Sequence, residues 1–299
     1  MLQAKTDHPA PVAAALPMPQ QKRLLLAKIA STLSLHLLLI LGAIFMITPF
    51  VWMVLTSLKT VSQAFKIPPD LIPNPFLWQN YPDSWQALPF PTAYFNSIYI
   101  AIVVVVAQLL TCSMAGYAFA RIRFPFRETI FLLFLATLMI PFQLTSIPLF
   151  LIMRQLGWLD THLSIIVPSA LFNAFGVFLM RQFVRGIPVE LEEAAIIDGA
   201  NRWTLYWRVV LPLIQPGLAA LGILSFLGQW NSFFTPLIML NSPSNFTVPL
   251  MLTQFVGQYT TQWTLLMAGS AIAIVPVLII YILSQRYIIQ GVALTGLKG

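Results

Sequence analysis

The stretch "EAAIIDGANRWTLYWRVVLP", Glu193 to Pro212, is polar and partly acidic inside a chain that is otherwise oily. Around it lie 299 residues, 58% hydrophobic and 8% charged, with a mean hydropathy of +0.82. An average soluble domain is about 25% charged, so this composition points to a bilayer. An apolar helix needs about 20 residues to cross a core that holds no water for stray charges. Gaps between charged residues therefore locate the crossings. No Asp, Glu, Lys or Arg lies between Lys28 and Lys59, Asp83 and Arg121, Glu128 and Arg154, Asp160 and Arg181, or Arg208 and Arg286. The last gap is too long for one crossing and breaks at "NSPSNFTVP", Asn241 to Pro249, where turn formers cluster.

Six crossings are expected, over 29–57, 93–119, 129–152, 163–180, 213–239 and 264–285. An even number puts both termini on one side, and Lys and Arg choose it, because cytoplasmic loops carry the excess. The terminal tails and the segments after crossings 2 and 4 hold thirteen basic residues; the opposite side holds Lys59, Lys66 and Arg154. The expected fold class is an all-α integral membrane protein with six transmembrane helices and both termini cytoplasmic. The net charge of +7 follows from this topology and calls for no nucleic acid.

The expected organisation is a disordered cytoplasmic tail over 1–27, a first crossing within 28–59, an external loop over 60–92, a core over 93–285 and a cytoplasmic tail over 286–299. Residues 1–21 are rich in Ala, Pro and Gln, a composition that does not order itself. The first crossing is far longer than a signal-peptide core and reads as retained. In the external loop, "IPPDLIPNPF" and "LPFPT" forbid regular helix over much of the length. Its Trp78, Tyr81 and Trp85 suit either an aromatic belt at the headgroups or a docking surface. Cys112 is the single cysteine and reads as a small buried hydrophobe.

Within the opening stretch, Pro188 pre-sets a first helical turn, and Glu190, Glu192 and Glu193 crowd a start where the helix dipole favours negative charge. Gly199 ends that helix as a C′ glycine would. Val189, Ala195 and Ile196 can share one side, with Glu190 and Glu193 on another. Asn201 can cap a second helix carrying Trp203, Leu205, Tyr206 and Val209, closed by Pro212 before crossing 5. A helix lying on headgroups normally carries Lys and Arg on its polar face. This one carries four acids, counting Asp198, and no base, which favours a basic groove on a protein partner over lipid.

Glu193-Ala194-Ala195, three residues, Gly199, nine residues, then Val209-Val210-Leu211-Pro212 resembles the EAA loop of binding-protein-dependent ABC importer permeases. "GYAFARIRFPFRE", "QWNSFFTPLIML", "TVPLMLTQFVGQYTTQWTLLMAGS" and "QRYIIQGVALTGLKG" resemble the carbohydrate-uptake branch, in particular the smaller second permease subunit of maltose-type systems. The resemblance runs from about residue 30 to the C-terminus.

It implies a coupling loop over 187–212 that seats in a cytoplasmic ATPase. Glu193 would pair with basic groups, Ala194 and Ala195 would permit close packing, Asp198 would add to the acidic surface, Gly199 would turn the chain and Pro212 would fix the junction with crossing 5. The implied partners are a second permease in a heterodimer, two ATPase copies, an external solute-binding protein and a sugar, in the lipid of a bacterial cytoplasmic (inner) membrane. Docking of the binding protein is implied for Thr60–Pro91 and Asn241–Gln262, and contact of the tail after Arg286 with the ATPase. No cofactor is implied on this chain; it has no G-x-x-x-x-G-K-[ST] loop, so ATP and magnesium belong to the ATPase and this subunit is no enzyme.

For a solute path the residues themselves offer Gln229, Trp230 and Asn231, with Gln143 and Asn173. Amides plus an aromatic face are the usual recipe for a neutral polyol. Hydrogen bonding between helices is the alternative use of each. A proton- or sodium-coupled carrier would be expected to hold an acid inside a crossing, and a membrane enzyme would need acids, bases or ligands gathered at one place. The crossings hold no such acid, and His8, His36 and His162 are scattered.

Overall fold

The computed structural model describes residues 18–257 and 261–296, with side chains of the second range described to residue 285. Of the disordered tail expected over 1–27, residues 18–27 are helical instead, as the start of a long helix, and the remainder lies outside the described residues, as do the side chains after residue 285 on which the contact expected of the C-terminal tail would depend. The chain divides into two bodies, Met1–Trp52 and Met53–Gly299.

In the first body the helix α1 (Met18–Ser57) begins well ahead of the expected crossing at 29. Residues 18–24 add helix without adding apolar length, and the stretch fit to cross a bilayer is Leu25–Ser57. Its Leu37, Leu38, Phe45 and Met46 are exposed, as side chains that meet lipid tails would be.

The second body takes in the last turn of α1 and continues with α2 (Val61–Ala64), fixed by a reciprocal capping box between Thr60 and Gln63, and α3 (Asn80–Ala87). Asn80 Nδ2 donates to the carbonyls of Ser57 and Lys59, at 2.7 and 2.8 Å. The three aromatic residues of this loop part company. Trp78 is exposed, Tyr81 hydrogen-bonds Ser57 at 2.8 Å, and Trp85 packs on Phe90 and Tyr94.

The long helix α4 (Phe90–Arg121) is the central post. After it come α5 (Arg127–Ala136), α6 (Phe142–Gln155), α7 (Leu163–Leu171) and α8 (Ala174–Arg185). Then follow α9 (Val189–Ile197), α10 (Arg202–Leu205), a π-helical turn Tyr206–Val210, α11 (Leu211–Leu213) and α12 (Gln215–Trp230). The chain closes with α13 (Phe234–Met239), α14 (Val248–Leu252) and α15 (Trp263–Gly296). No strand occurs among the described residues.

Among the described residues, four segments are long and apolar enough to cross a bilayer, and two bent helix pairs raise the number to six if each is one crossing. The bends correct the expected straight spans. Between Arg127–Met139 and Phe142–Gln155 the axis turns by 102°, because Pro141 lacks an N–H and holds Ile140 extended at φ −89°, ψ 116°. The segment expected over 163–180 runs on to Arg185 and is interrupted at Phe172 and Asn173. That expected over 213–239 starts at Gln215, after a 76° bend, and its first helix ends at Trp230. Sixteen residues rise about 24 Å, short of a core about 30 Å thick. The expected loop over 241–262 is largely packed: Phe246, Val248, Leu250, Met251 and Phe255 are buried against α4 and its neighbours.

Helix α4 meets α8 at close range. A Cβ placed on Gly116 would stand 2.6 Å from Met180 Cβ, so only glycine fits that crossing. Cys112 lies 1% exposed in the same cluster, as expected of a small hydrophobe. At the end where α7 starts, Asp160 adopts φ 58° and ties the turn before α7 to the turn after α13. Its carboxylate accepts from the Ser242 hydroxyl at 2.5 Å and from the N–H groups of Ser242 and Asn241, both at 2.9 Å. The Ser242 bonds, then that of Asn241, hold the Asp160 carboxyl well below the usual carboxylate range. A depressed folded-state pKa contributes stability above the unfolded value of about 3.9 and loses it as the pH falls further. Asp160→Asn is therefore expected to lower thermal stability at pH 7, by about 1 kcal/mol, with the difference from the parent shrinking below about pH 4. A difference that stays constant from pH 7 to pH 3 in a melting series would contradict this.

Candidate functional site

The acidic loop after α8 is built by local rules. Pro188 stands at the N-cap of α9 with φ −56°, ψ 133°, and Glu190 and Glu192 occupy the first turn. The end is a Schellman turn. Gly199, at φ +85°, donates to the Ile196 carbonyl at 3.0 Å, and Ala200 N–H reaches back to the Ala195 carbonyl at 2.9 Å. Asn201 Oδ1 accepts from Thr204 N–H at 2.8 Å, the cap that the sequence suggests. The second helix runs unbroken from Arg202 to Leu213, as expected, but is not α-helical throughout. It is α10, one turn long, then the π turn, then α11 with Pro212 inside it, just before the 76° bend. Its inward side is anchored by Tyr206, 2% exposed, whose hydroxyl meets Ser113 of α4 at 2.7 Å.

Two expectations for α9 need correction. Its apolar residues do not gather on one side: Val189, Leu191, Ile196 and Ile197 are exposed, and Ala195 alone of the expected apolar side packs against the core. Nor do all four acids face outward. Glu192 is 7% exposed and pairs with Arg121 Nε, at the end of α4, at 2.5 Å. Arg121 Nη2 also donates to the Ile187 carbonyl at 2.6 Å. A buried carboxylate needs such a partner, because removal from water costs several kcal/mol per ion. Glu190, Glu193, Ala194, Asp198 and Gly199 remain exposed. What α9 shows outward is therefore a mixed surface in which large aliphatic side chains stand among three acids.

A second ion cluster stiffens the same end. Arg181, 2% exposed, holds both oxygens of Glu128 with Nη2 at 2.5 and 2.6 Å. Its guanidinium carbon lies 3.9 Å from the centre of the Phe131 ring. Neither Arg121–Glu192 nor Arg181–Glu128 is evident from spacing. The one signal in the sequence is that each arginine stands where a crossing ends.

The five residues suggested for a solute path are not brought together. Gln143 and Asn231 are exposed, and Asn231 Nδ2 turns back to its own helix at Leu227 O, 2.9 Å. Trp230 is buried, donates to the Ala273 carbonyl at 3.1 Å and stacks on Phe226. Asn173 caps α8 through Gly176 N–H and donates to Gln108 Oε1, each at 2.8 Å. Gln229 alone lines a cavity, of about 490 Å³ between α6, α7, α12 and α13. Missed altogether was Gln108, the lone polar side chain in "VVVVAQLL". It donates to Ser169 O at 2.6 Å and accepts from Ser225 Oγ at 2.5 Å, joining α4, α7, α8 and α12.

These features define an α-helical membrane protein with broken spans and an acidic, aliphatic helix projecting at one end. A sequence profile described as "Binding-protein-dependent transport system inner membrane component" matches residues 109–294. The chain belongs to that family. It is 42% identical over 208 residues, 70% of this chain and 74% of the other, to the arabinooligosaccharides transport system permease protein AraQ of Halalkalibacterium halodurans. It is 33% identical to the lactose transport system permease protein LacG of Rhizobium radiobacter, over 84% of this chain and 91% of that one. Similarity to the sn-glycerol-3-phosphate transport system permease protein UgpE of Yersinia enterocolitica is also 33%, over 86% and 94%. Among solved structures, a bacterial ABC transporter involved in import of the acidic polysaccharide alginate superposes with a TM-score of 0.78 at 25% identity, over 87% of this chain and 97% of that one.

Removing one partner of the inner ion pair should be costly. Arg121→Met and Glu192→Met are each expected to destabilise the purified protein by about 3 kcal/mol, the lower end for a buried pair. The double variant should lose markedly less than the sum. Strictly additive losses in thermal unfolding would show that the two side chains do not act as a pair.

Proposed function

We propose that this chain is a permease subunit of an ATP-driven, binding-protein-dependent importer of a sugar, oligosaccharide or related polyol, in a bacterial cytoplasmic (inner) membrane. The observation that carries the reading is α9: a capped helix closed by Gly199, held from inside by Arg121 and presenting Glu190, Glu193, Ile196 and Ile197 outward. A bilayer protein needs no such projection to fold. In this reading the bent pairs are single crossings, giving six, and both termini are cytoplasmic. The loop 187–212 seats in an ATPase. Glu193 and Asp198 meet basic groups there, and Ala194 leaves room for close approach. Two ATPase copies bind ATP and magnesium, a second permease completes the pathway as a heterodimer, and a binding protein delivers the solute. This chain moves solute and leaves hydrolysis to its partner.

Two observations favour a sugar as the solute. AraQ and LacG are named for arabinooligosaccharides and lactose. UgpE is named for sn-glycerol-3-phosphate, an anionic polyol, but the cavity at Gln229 is lined by uncharged side chains. A pathway without a fixed countercharge favours neutral solutes.

Mechanically, α9 and the inner pair form one stiff piece. Displacement of α9 by a closing ATPase is passed to α4 through Arg121 and to α12 through the π turn and the bend at 213–215. The permease then requires two packings of similar free energy, which ATP state and binding protein bias differently.

Glu193→Lys tests the docking role, since the side chain is exposed and makes no packing contribution to lose. Normal membrane insertion is expected, together with failure to retain the ATPase on purification and a loss of uptake of about tenfold or more, equivalent to about 1.4 kcal/mol. Normal uptake by this variant would remove Glu193 from the coupling surface.

A further inference from the structure

Residues 65–78 connect α2 to α3 and are held in place at several points. Gln63 Nε2 donates to the Asn74 carbonyl at 2.6 Å, Leu77 N–H donates to the Leu58 carbonyl at 2.8 Å, and Pro73 is buried. A segment pinned in this way is free to turn its apolar side chains inward. It does the opposite: Phe65, Ile67, Leu71, Ile72, Phe76 and Trp78 are all exposed, Ile67 to 93%. Single exposed apolar residues are ordinary on any protein surface, whereas a dense run of large ones marks a place where something binds.

The neighbours of this surface set its level. Thr60 follows the apolar segment Leu25–Ser57 by three residues, and α2 stands against the start of α15, with Val61 and Phe65 facing Thr261, Trp263 and Leu265. Trp263 opens the apolar segment Trp263–Gln285. The connection therefore lies where two apolar segments reach their ends, the level at which exposed tryptophan is favoured, and Trp78 stacks there on Tyr81. Its charges cancel. Lys66 and Asp70 pair with each other at 2.9 Å, and no other Asp, Glu, Lys or Arg lies between residues 60 and 82. A partner protein addressed by charge finds nothing to read. The backbone suits the same place: residues 68, 69, 73 and 75 are proline, so four of the ten residues 67–76 have no N–H that a medium poor in water would leave unpaired.

We propose that residues 65–78 form a lipid-binding surface, seated at the boundary between headgroups and acyl chains in the leaflet where α15 begins. Ile67, Leu71 and Ile72 enter that boundary, and Trp78 stands among the headgroups. The partner is phospholipid itself, and the internally neutralised Lys66–Asp70 pair gives no preference for anionic headgroups. The proposal requires only that the chain spans a bilayer and is independent of the solute and of the ATPase. Docking of a binding protein, implied by the sequence for Thr60–Pro91, is then not made by the first half of that segment. In this seat the surface fixes the height of α2 and α3 in the bilayer while the bundle beside them rearranges.

The test uses the chain with its native partner subunits, reconstituted into phosphatidylcholine vesicles. Cys112 is the only cysteine, so a Cys112→Ala background can carry one new thiol at a time: Ile67→Cys, Leu71→Cys or, as a control in the polar turn after α13, Ser244→Cys. All three positions are exposed, so a bimane label at each leaves the packing intact. In vesicles whose acyl chains carry bromine near the headgroup end, quenching at 67 and 71 is expected to be at least about twofold stronger than at 244, and weaker when the bromine sits near the methyl end. Aqueous iodide should quench the three labels in the reverse order. Bromolipid quenching at 67 and 71 no stronger than at 244 overturns the proposal. If bromolipid leaves both labels untouched and a solute-binding protein that binds the complex shields them from iodide, the surface belongs to that protein and the proposal fails.

Discussion

Every helix break inside an apolar medium frees backbone groups that water cannot satisfy, and the fold of this chain is largely the set of answers to that problem. Gln108 gives the central one. Its carboxamide reaches the Ser169 carbonyl just ahead of the α7–α8 interruption, takes the Asn173 amide from within it, and takes the Ser225 hydroxyl from α12. Asn173 in turn caps α8. One side chain on an unbroken helix thus steadies a broken one and pins a third beside it. The close approach of α4 to α8 at Gly116 is the apolar counterpart of the same arrangement.

The two ends of the Leu163–Arg185 segment are held by different means. At its start the clasp is a carboxylate receiving hydrogen bonds: Asp160 gathers the Ser242 hydroxyl and the backbone of the turn after α13. At its finish the clasps are ion pairs, Arg181 with Glu128 and Arg121 with Glu192. The first draws loops together at a point where α14 is already buried against α4. The second binds a projecting helix to the central post, so that motion of the projection is not lost in a slack joint.

Local chemistry was legible in the sequence, and distant pairing was not. Pro188, Gly199 and Asn201 act within five residues of themselves, so their caps and turn could be read directly from residue type. Gaps between charges located the apolar segments for a similar reason: exclusion of charge from hydrocarbon is a property of each residue alone. Arg121 and Glu192 lie 71 positions apart, and Gln108 and Ser225 lie 117 apart. No spacing rule connects such residues before the helices are packed. Pro141 marks a true bend, whereas Pro49, Pro148, Pro168 and Pro276 lie inside helices, and the residue type does not say which outcome neighbours will permit. The solute-path candidates suffered from the same limit, since Asn173 and Trp230 are consumed by the bundle, Gln143 and Asn231 are exposed, and Gln229 alone of the five lines a cavity.

Because Glu192 faces inward to Arg121 while Glu190, Glu193 and Ile197 face outward, the two sides of α9 are free to diverge at different speeds. Exchange of outward residues alters the surface offered to a partner and leaves the anchoring pair untouched. Under the coupling role proposed above, a lineage can re-address this subunit to a different motor protein by a few surface substitutions, without rebuilding the lever to which that surface is attached. Inward changes have no such latitude, since a new residue at 121 demands a matching one at 192. Paralogous assemblies that share a bilayer can in this way keep a common mechanical part and still avoid exchanging components.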